Sequence, residues 1–217
     1  VYELCYINFA GLNRLGAMDG NPSRPFRVDR QGLLMGEGSG VLVLERKENA
    51  AARGATILAE LVGAGLSCDA QHVSAPDPEG LGAATAMDSA LQNGGLTAED
   101  VTFVNAHGTG TPHNDASESK AMHAVFGERA RSLPITSTKS MVGHLLGAAG
   151  GIEAVLTVLS IQNRLLPQTA GEAEADPELG IDLVLHEPRA LPDNNVGIST
   201  NLAFGGNNAV IVLRSPR

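Results

Sequence analysis

The chain has 217 residues, of which 43% are apolar and 18% are charged, and its formal net charge is −9. This composition is typical of a folded globular protein with a sizeable core and excludes an extended disordered chain. The acidic balance, with no cluster of basic residues, argues against a nucleic-acid partner.

Cysteine content and hydropathy indicate where such a chain would function. Cys5 and Cys68 are too few and too far apart for a disulfide framework, and residues 1–10 lack the basic leader of a signal peptide. A reducing cytoplasm is therefore the expected location. The least charged stretch, residues 141–162, contains Glu153, and a carboxylate there disfavours a membrane span.

Short apolar runs bounded by glycine, proline or charged residues predict strands. In chain order, the predicted strands are residues 41–44, 57–66, 101–106, 133–138, 196–201 and 208–213. Apolar residues at helical spacing predict helices, and the last of these is apolar on nearly every side and so is expected to be buried. The predicted helices are residues 82–92, 115–126 and 145–164.

Strands that alternate with helices predict an α/β layered sheet, and two successive strands at the end of the chain make that sheet mixed. The glycine-rich residues 36–40 superficially match a dinucleotide-binding loop. A strand and not a helix follows them, which excludes the dinucleotide-binding fold.

His107 is the first candidate functional residue. It follows the predicted strand 101–106, and the carboxyl ends of strands are where α/β sheets form their sites. The run G-T-G-T after it lets a ligand approach the backbone, and Thr109 and Thr111 offer hydroxyl groups. The alternative is a histidine that only caps a turn, and the flanking residues favour function.

His144 stands immediately before the predicted helix 145–164. The partial positive charge of a helix amino terminus would keep its ring neutral, and Lys139, five residues earlier, would act in the same direction if it is close. A neutral ring can donate a hydrogen bond to a developing enolate. A helix-capping role is the alternative. Lys139 and Glu153 both lie in apolar surroundings, so we expect them to form an ion pair that also positions His144. The alternative for Lys139 is a catalytic lysine that acts together with His107 and His144.

The segment around Phe204 combines a phenylalanine with Gly205 and Gly206. Such a loop can present backbone N–H groups as an oxyanion hole and let the ring move as a gate, although a plain turn explains it almost as well. A metal site built from His107, His113 and His144 is the remaining alternative, and no metal-binding spacing supports it.

Four segments together resemble the β-ketoacyl-acyl-carrier-protein synthases, the condensing enzymes of fatty-acid and polyketide synthesis. They are V-N-A-H-G-T-G-T-P-H-N-D, S-T-K-S-M-V-G-H-L-L-G-A-A-G-G-I-E, N-L-A-F-G-G-N-N and R-P-F-R-V-D-R-Q-G-L-L-M-G-E-G-S-G. The resemblance runs through the whole chain and is specific, because several independent motifs agree in order and spacing.

The resemblance implies a thiolase-like fold, which has two similar α/β halves packed in layers. This chain resembles the carboxyl-terminal half at residues 67–217, while residues 1–66 resemble the last strands and connecting segment of the amino-terminal half. The family's nucleophilic cysteine belongs to the first half. Neither Cys5 nor Cys68 matches its motif, so the resemblance implies that the nucleophile lies outside this chain.

The reaction implied is a decarboxylative Claisen condensation, in which malonyl-acyl carrier protein loses carbon dioxide and its enolate attacks an acyl thioester. By similarity, His107 and His144 bind the malonyl thioester oxygen, and Lys139 and Glu153 support His144. Also by similarity, Thr109, Thr111 and Ser74 contact the phosphopantetheine arm of the substrate. Phe204 is the gating residue, and its backbone N–H joins the oxyanion hole.

The resemblance implies no bound cofactor or metal, because the substrates are carried on the phosphopantetheine of acyl carrier protein. Expected partners are acyl carrier protein, the amino-terminal half of the same ketosynthase, and a second subunit in a homodimer or heterodimer. One departure concerns the last loop, where many elongating members read S-F-G-F-G-G-T-N and this chain carries Leu202 and Ala203. The alternative function is a non-catalytic, chain-length-type subunit that binds carrier protein and shapes the acyl pocket.

Overall fold

The computed structural model describes residues 1–216. Six α-helices are present among them, in order α1 Tyr6–Arg14, α2 Lys47–Ala52, α3 Leu81–Asn93, α4 Pro112–Phe126, α5 Lys139–Val142 and α6 Ala149–Asn163. The strands are β1 Glu60–Cys68, β2 Phe103–Asn105, β3 Pro134–Thr136, β4 Leu165–Leu166, β5 Asp182–Leu183, β6 Arg189–Ala190, β7 Val196–Ala203 and β8 Asn207–Arg214.

Six of these strands form one mixed sheet in the order β1-β8-β7-β2-β3-β5. The pairs β1–β8 and β8–β7 are antiparallel, whereas β2 is parallel to both of its neighbours, β7 and β3. β4 and β6 form a separate two-stranded antiparallel sheet. The short strand β2 is fully buried because strands flank it on both sides and helices cover both faces.

Helices pack on both faces of the large sheet. On one face, α3 and α4 bury side chains such as Met87 and Met122 against Val104 of β2. On the other face, Val158 and Ile161 of α6 pack near Phe103. Phe103 and Val104 belong to different cores because successive side chains of a strand point to opposite faces. The predicted α/β fold with a mixed, layered sheet is confirmed.

The predicted strand at residues 41–44 is wrong, because this segment has no regular secondary structure and pairs with no strand in the described part of the chain. A strand is stabilised by ladder hydrogen bonds to a neighbour, and apolar character alone does not supply one. Its side chains are exposed, with Val41 78% and Val43 90% accessible.

The predicted helix at residues 145–164 begins later than expected. A 3₁₀ turn occupies Leu146–Ala148, and the α-helix starts at Ala149. The backbone of His144 is tied to the segment before it: its N–H donates to the Leu34 carbonyl at 2.7 Å, and its carbonyl accepts from Gly36 N–H. This pairing holds residue 144 outside the helix. Exposed Leu159 shows that one helix face is open.

The other predicted elements are present with shifted ends, and the predicted division between residues 66 and 67 lies within β1 and stays a prediction. Among residues 1–216, no helix is both long enough and apolar enough to cross a membrane.

Candidate active site

His107 lies directly beyond the end of β2, and three hydrogen bonds hold the backbone there. Its N–H donates to both Glu118 Oε1 and Thr200 Oγ1 at 2.8 Å, and the N–H of Gly108 donates to Glu118 Oε2 at 2.8 Å. Gly108 has a φ of +36°, and a Cβ there would lie 2.6 Å from the ring of Phe26. The chain turns here only because residue 108 has no side chain.

The two histidine rings meet at right angles, with their centroids 5.2 Å apart and their planes at 85°. Burial, reinforced by the charge of Lys139, lowers the pKa of His107 well below its ordinary value. The same two causes lower the pKa of His144 to about 3. Both rings are therefore neutral at physiological pH.

Burial and Lys139, and not a helix terminus, keep His144 neutral. The sequence prediction attributed this effect to the partial charge at the start of a helix, with Lys139 acting in the same direction. Because a 3₁₀ turn separates His144 from Ala149, the ring does not sit at the first turn of α6. The neutral state and the contribution of Lys139 are as predicted, but burial, and not a helix terminus, is the main cause.

Hydrogen bonds fix the same tautomer in both rings. Lys139 Nζ lies 3.1 Å from His107 Nδ1, and an ammonium group only donates, so Nδ1 accepts. The N–H of Leu146 donates to His144 Nδ1 at 3.1 Å. Each neutral ring therefore carries its proton on Nε2, which makes the pair two N–H donors.

The predicted ion pair between Lys139 Nζ and Glu153 Oε1 is present, and both side chains are buried. The second carboxylate oxygen accepts a hydrogen bond from Asn201 Nδ2 at 3.0 Å. Burial raises the pKa of Glu153, while Lys139 and Asn201 act in the opposite direction. The ring that Lys139 contacts is His107 and not His144, because α5 follows β3, the neighbour of β2.

A pocket of about 600 Å³ opens in front of the histidines. It is lined by all six of the predicted residues that were expected to touch substrate, namely His107, His144, Thr109, Thr111, Ser74 and Phe204. Thr109 and Thr111 hydroxyls lie 2.8 Å apart at its wall. Lys139 and Glu153 do not line this pocket and stand behind the histidines.

Phe204, Gly205 and Gly206 form a short turn between β7 and β8, hereafter the Phe204 loop. The Phe204 residue is 52% exposed. Gly205 adopts a φ of +82°, and its N–H donates to the Val73 carbonyl at 2.7 Å. The Phe204 loop is thus bonded to the segment that carries Ser74.

Two family models match this chain, and together they cover most of it. The model described as "Beta-ketoacyl synthase, C-terminal domain" matches residues 58–172, and "Beta-ketoacyl synthase, N-terminal domain" matches residues 2–50. The chain belongs to the β-ketoacyl synthase family.

Individual relatives agree with this family. A 3-oxoacyl-[acyl-carrier-protein] synthase 2 of Synechocystis sp. is 45% identical over 217 residues, which are 99% of this chain and 52% of the relative. The solved ishigamide ketosynthase/chain length factor has a TM-score of 0.94 at 41% identity, over 99% of this chain and 52% of that one.

A further solved structure is a type II PKS acyl-carrier protein in complex with its ketosynthase. It has a TM-score of 0.95 at 33% identity, over 99% of this chain and 54% of that chain. The β-ketoacyl synthase chain described here spans about half the length of the curated relatives it matches.

Neither cysteine of this β-ketoacyl synthase chain lines the pocket. Cys5 and Cys68 are both exposed, and the Cys68 thiol lies 3.5 Å from the Gly205 carbonyl oxygen. Within residues 1–216, no group of three or more His, Cys, Asp or Glu side chains is arranged to hold a metal ion. His113 lies at the pocket wall but is exposed.

Sequence reasoning missed several buried polar residues of this site. Glu118 supports the backbone at His107, and Asn105 donates from β2 to the Glu153 carbonyl and to Thr157 Oγ1, both at 3.2 Å. Burial also raises the pKa of Asp115, which accepts from Phe26 N–H at 2.7 Å, to about 7. An asparagine inside an apolar strand was the one available signal, because buried polar groups need partners.

Proposed function

We propose that this chain supplies the histidine–histidine–lysine part of a ketosynthase active site, which catalyses decarboxylative Claisen condensation in fatty-acid or polyketide elongation. The observation that carries the proposal is the pair of neutral rings, His107 and His144, which line one pocket with both Nδ1 atoms engaged, so that each ring carries its proton on Nε2. The relatives named 3-oxoacyl-[acyl-carrier-protein] synthase 2 support the same reaction class.

In this proposal, the two Nε2–H groups bind the thioester carbonyl oxygen of a malonyl group. Loss of carbon dioxide leaves an enolate, whose negative charge develops on that oxygen. Two fixed donors in a buried site stabilise this charge more than they stabilise the neutral carbonyl, which is the condition for rate acceleration. Positively charged histidines are not required, in agreement with the lowered pKa values of His107 and His144.

The malonyl group would arrive on the phosphopantetheine arm of acyl carrier protein. Thr109, Thr111 and Ser74 line the same pocket as the histidines and supply hydroxyls for the polar amides of that arm. The similarity to a ketosynthase that was solved in complex with its acyl-carrier protein supports this partner. Phe204 is proposed as the gate, with its backbone N–H joining the oxyanion hole for the acyl thioester.

The nucleophile in this proposal is a cysteine outside the 217 residues, contributed by an amino-terminal ketosynthase half within a homodimer or heterodimer. The exposed Cys5 and Cys68, neither of which lines the pocket, support this assignment. The enolate attacks the acyl thioester on that cysteine, the new carbon–carbon bond forms, and the cysteine leaves as a thiolate. The chain would have no condensing activity without this half.

The test is decarboxylation of malonyl carrier protein by the chain together with an amino-terminal ketosynthase half, measured as released carbon dioxide. We expect His107→Ala and His144→Ala to lower the rate about 100-fold each, the usual effect of removing one oxyanion donor. The control is His186→Asn, because His186 is exposed, contacts Glu174 and does not line the pocket. Absence of decarboxylation by the unsubstituted assembly would contradict the proposal.

A second candidate is a non-catalytic chain-length-type subunit, favoured by the similarity to a ketosynthase/chain length factor structure. Such a subunit binds carrier protein but does not decarboxylate malonyl groups. The same assay separates the two, because binding without any release of carbon dioxide, equal in wild type and His107→Ala, is the result that this second function requires.

A further inference from the structure

Asn201 connects the pocket with the buried ion pair. It lies near the end of β7, three residues before Phe204, and it lines the pocket. Its Nδ2 donates to Glu153 Oε2 at 3.0 Å. Glu153 pairs with Lys139, whose Nζ lies 3.1 Å from His107 Nδ1. A continuous chain of contacts therefore runs from one side of the pocket, through two buried charges, to a histidine on the same pocket.

Only the two ends of this chain of contacts touch the pocket. His107 and Asn201 line it, whereas Lys139 and Glu153 do not. The Glu153 side chain is 2% exposed and the Lys139 side chain is 0% exposed. Asn201 is half-buried and separates the carboxylate from whatever occupies the pocket. A neutral amide is suited to this place because it donates to the carboxylate without adding charge.

We propose that Asn201 is a positioning residue for the histidine pair, since its amide holds the Glu153 carboxylate in the orientation that directs Lys139 at His107. The proposal rests on the proposed function and adds a residue to it. In this role, Asn201 does not contact the reacting atoms and acts on His107 only through Glu153 and Lys139. The amide packs beside α6, where a Cβ on Gly150 would lie at an ordinary contact distance of 3.6 Å from Asn201 Nδ2.

The consequence concerns the protonation of Glu153. Three groups face its carboxylate or act on it electrostatically: Lys139 from α5, Asn201 from β7 and, through its charge, Glu118 from α4. Burial and Glu118 favour the protonated acid, while Lys139 and Asn201 favour the carboxylate. Once Glu153 is protonated, Lys139 loses its counter-charge and His107 loses the contact that sets its tautomer.

The experiment compares Asn201→Ala and Asn201→Asp with the unsubstituted protein across a pH series of malonyl carrier protein decarboxylation. Asn201→Ala removes a hydrogen bond to the charged carboxylate of Glu153. We therefore expect the acid limb of the pH–rate profile to move to higher pH by about one unit. Asn201→Asp, which puts a second carboxylate beside Glu153, is expected to raise it further. The matched control is Asn163→Ala, because Asn163 is an exposed asparagine on α6 that bonds only locally, to the Leu159 carbonyl.

The order of the two variants separates positioning from packing. Asp is nearly the same size as Asn, so a packing role predicts that Asn201→Asp resembles the wild type and that Asn201→Ala is worse. Positioning through charge predicts the reverse order. A thermal melt of each variant confirms folding, and if one variant does not fold the other still shows a shifted or an unshifted acid limb. Profiles that coincide with the wild type, or the packing order, would overturn the proposal.

A second readout needs no turnover. Two-bond proton–nitrogen correlation spectra of the ¹⁵N-histidine-labelled protein report the tautomer of His107. We expect a single Nε2–H tautomer in the wild type and a mixture in Asn201→Asp near pH 6. If the tautomer responds but malonyl groups are never decarboxylated, the proposed function fails while the role of Asn201 stands. If decarboxylation occurs and neither readout responds to the variants, the role of Asn201 fails.

Discussion

The buried Lys139–Glu153 pair has an energetic cost. Transfer of two charges from water into the interior is compensated only when each charge keeps its partners, and here Asn201 and His107 complete the set. The pair is therefore weak evidence for stability. Removal of one partner alone should therefore lower the free energy of unfolding more than replacement of both partners.

The substitution Lys139→Met leaves the Glu153 carboxylate buried without its cation. The free energy of unfolding should fall by about 3–5 kcal/mol in urea denaturation, and Lys139→Met/Glu153→Leu should lose less than the single variant. Lys120→Met is the matched control, because the Lys120–Glu79 pair is exposed and should change stability by less than about 1 kcal/mol. A double variant less stable than Lys139→Met would contradict this account.

The neutral His144 predicts a pH dependence of stability. An unfolded histidine titrates at about pH 6.5, and folded His144 titrates at about 3, so the unfolded state binds more protons between these values. Stability contributed by this residue therefore falls as the pH drops through that window. Asp115, whose pKa is raised, contributes the opposite slope over an overlapping range.

The measurement is the urea midpoint of the wild type and of His144→Asn between pH 7 and pH 4. We expect a smaller loss on acidification in His144→Asn, because asparagine cannot take up a proton and its side-chain oxygen can still accept from Leu146 N–H. The difference between the two proteins cancels the contribution of Asp115. Parallel curves would show that the ring is not held neutral.

At the scale of elements, β1 and α3 pack with their backbones in close contact. A Cβ on Gly65 would lie 2.0 Å from the Ala86 carbonyl oxygen, and one on Gly63 would lie 2.1 Å from that of Ala90. Both distances are shorter than any real contact, and the neighbours are backbone atoms that cannot rotate away. Glycine at these positions lets α3 pack directly on β1, and the core on this face of the sheet is buried as a result.

Gly65→Ala should therefore destabilise the protein by about 1–3 kcal/mol, the usual cost of overpacking, in urea denaturation. Gly11→Ala is the matched control, because Gly11 lies in α1 with no atom within 4 Å of the added Cβ. It should leave stability unchanged or raise it by about 0.5–1 kcal/mol through helix propensity. Equal effects of the two substitutions would refute the close packing of β1 on α3.

The sequence predicts those elements whose pattern is local. The helix α3 and the strands β7 and β8 follow from apolar spacing and from the glycines that end them, and the ion pair of Lys139 follows from the rule that a buried charge needs a partner. The contact of Lys139 with His107 could not be predicted, because it depends on β3 lying beside β2. The role of Glu118 depends equally on how α4 packs.

Residues 41–44 show that a local pattern can also predict an element that does not form. Their apolar run satisfies every local rule for a strand, yet a ladder needs a neighbour, and no described strand supplies one. For the whole molecule, this leaves apolar side chains in water: Val41, Val43 and Leu44 are 78%, 90% and 70% exposed. Exposed apolar segments of this kind mark surfaces that associate.

We therefore predict that the chain alone self-associates in a concentration-dependent way, measured by sedimentation velocity. Val41→Gln/Val43→Gln should reduce the association, because it removes apolar area from the exposed segment. Leu81→Gln is the control, since Leu81 is 62% exposed at the start of α3 and lies outside that segment. A chain that stays monomeric at all concentrations, or a control that acts equally, would contradict the prediction.

The position of the Phe204 loop at the tip of the β7–β8 hairpin has a consequence for how such a protein diversifies. His107 is held by parallel strands and a buried carboxylate, whereas residues 204–206 are tied to residues 69–73, through Gly205 N–H to the Val73 carbonyl and Asp69 N–H to the Gly206 carbonyl. Under the function proposed above, substitutions at the tip would change what passes the loop and leave the two N–H donors of the histidines in place. A change of acyl-chain preference would then require no change in the residues proposed for the chemistry.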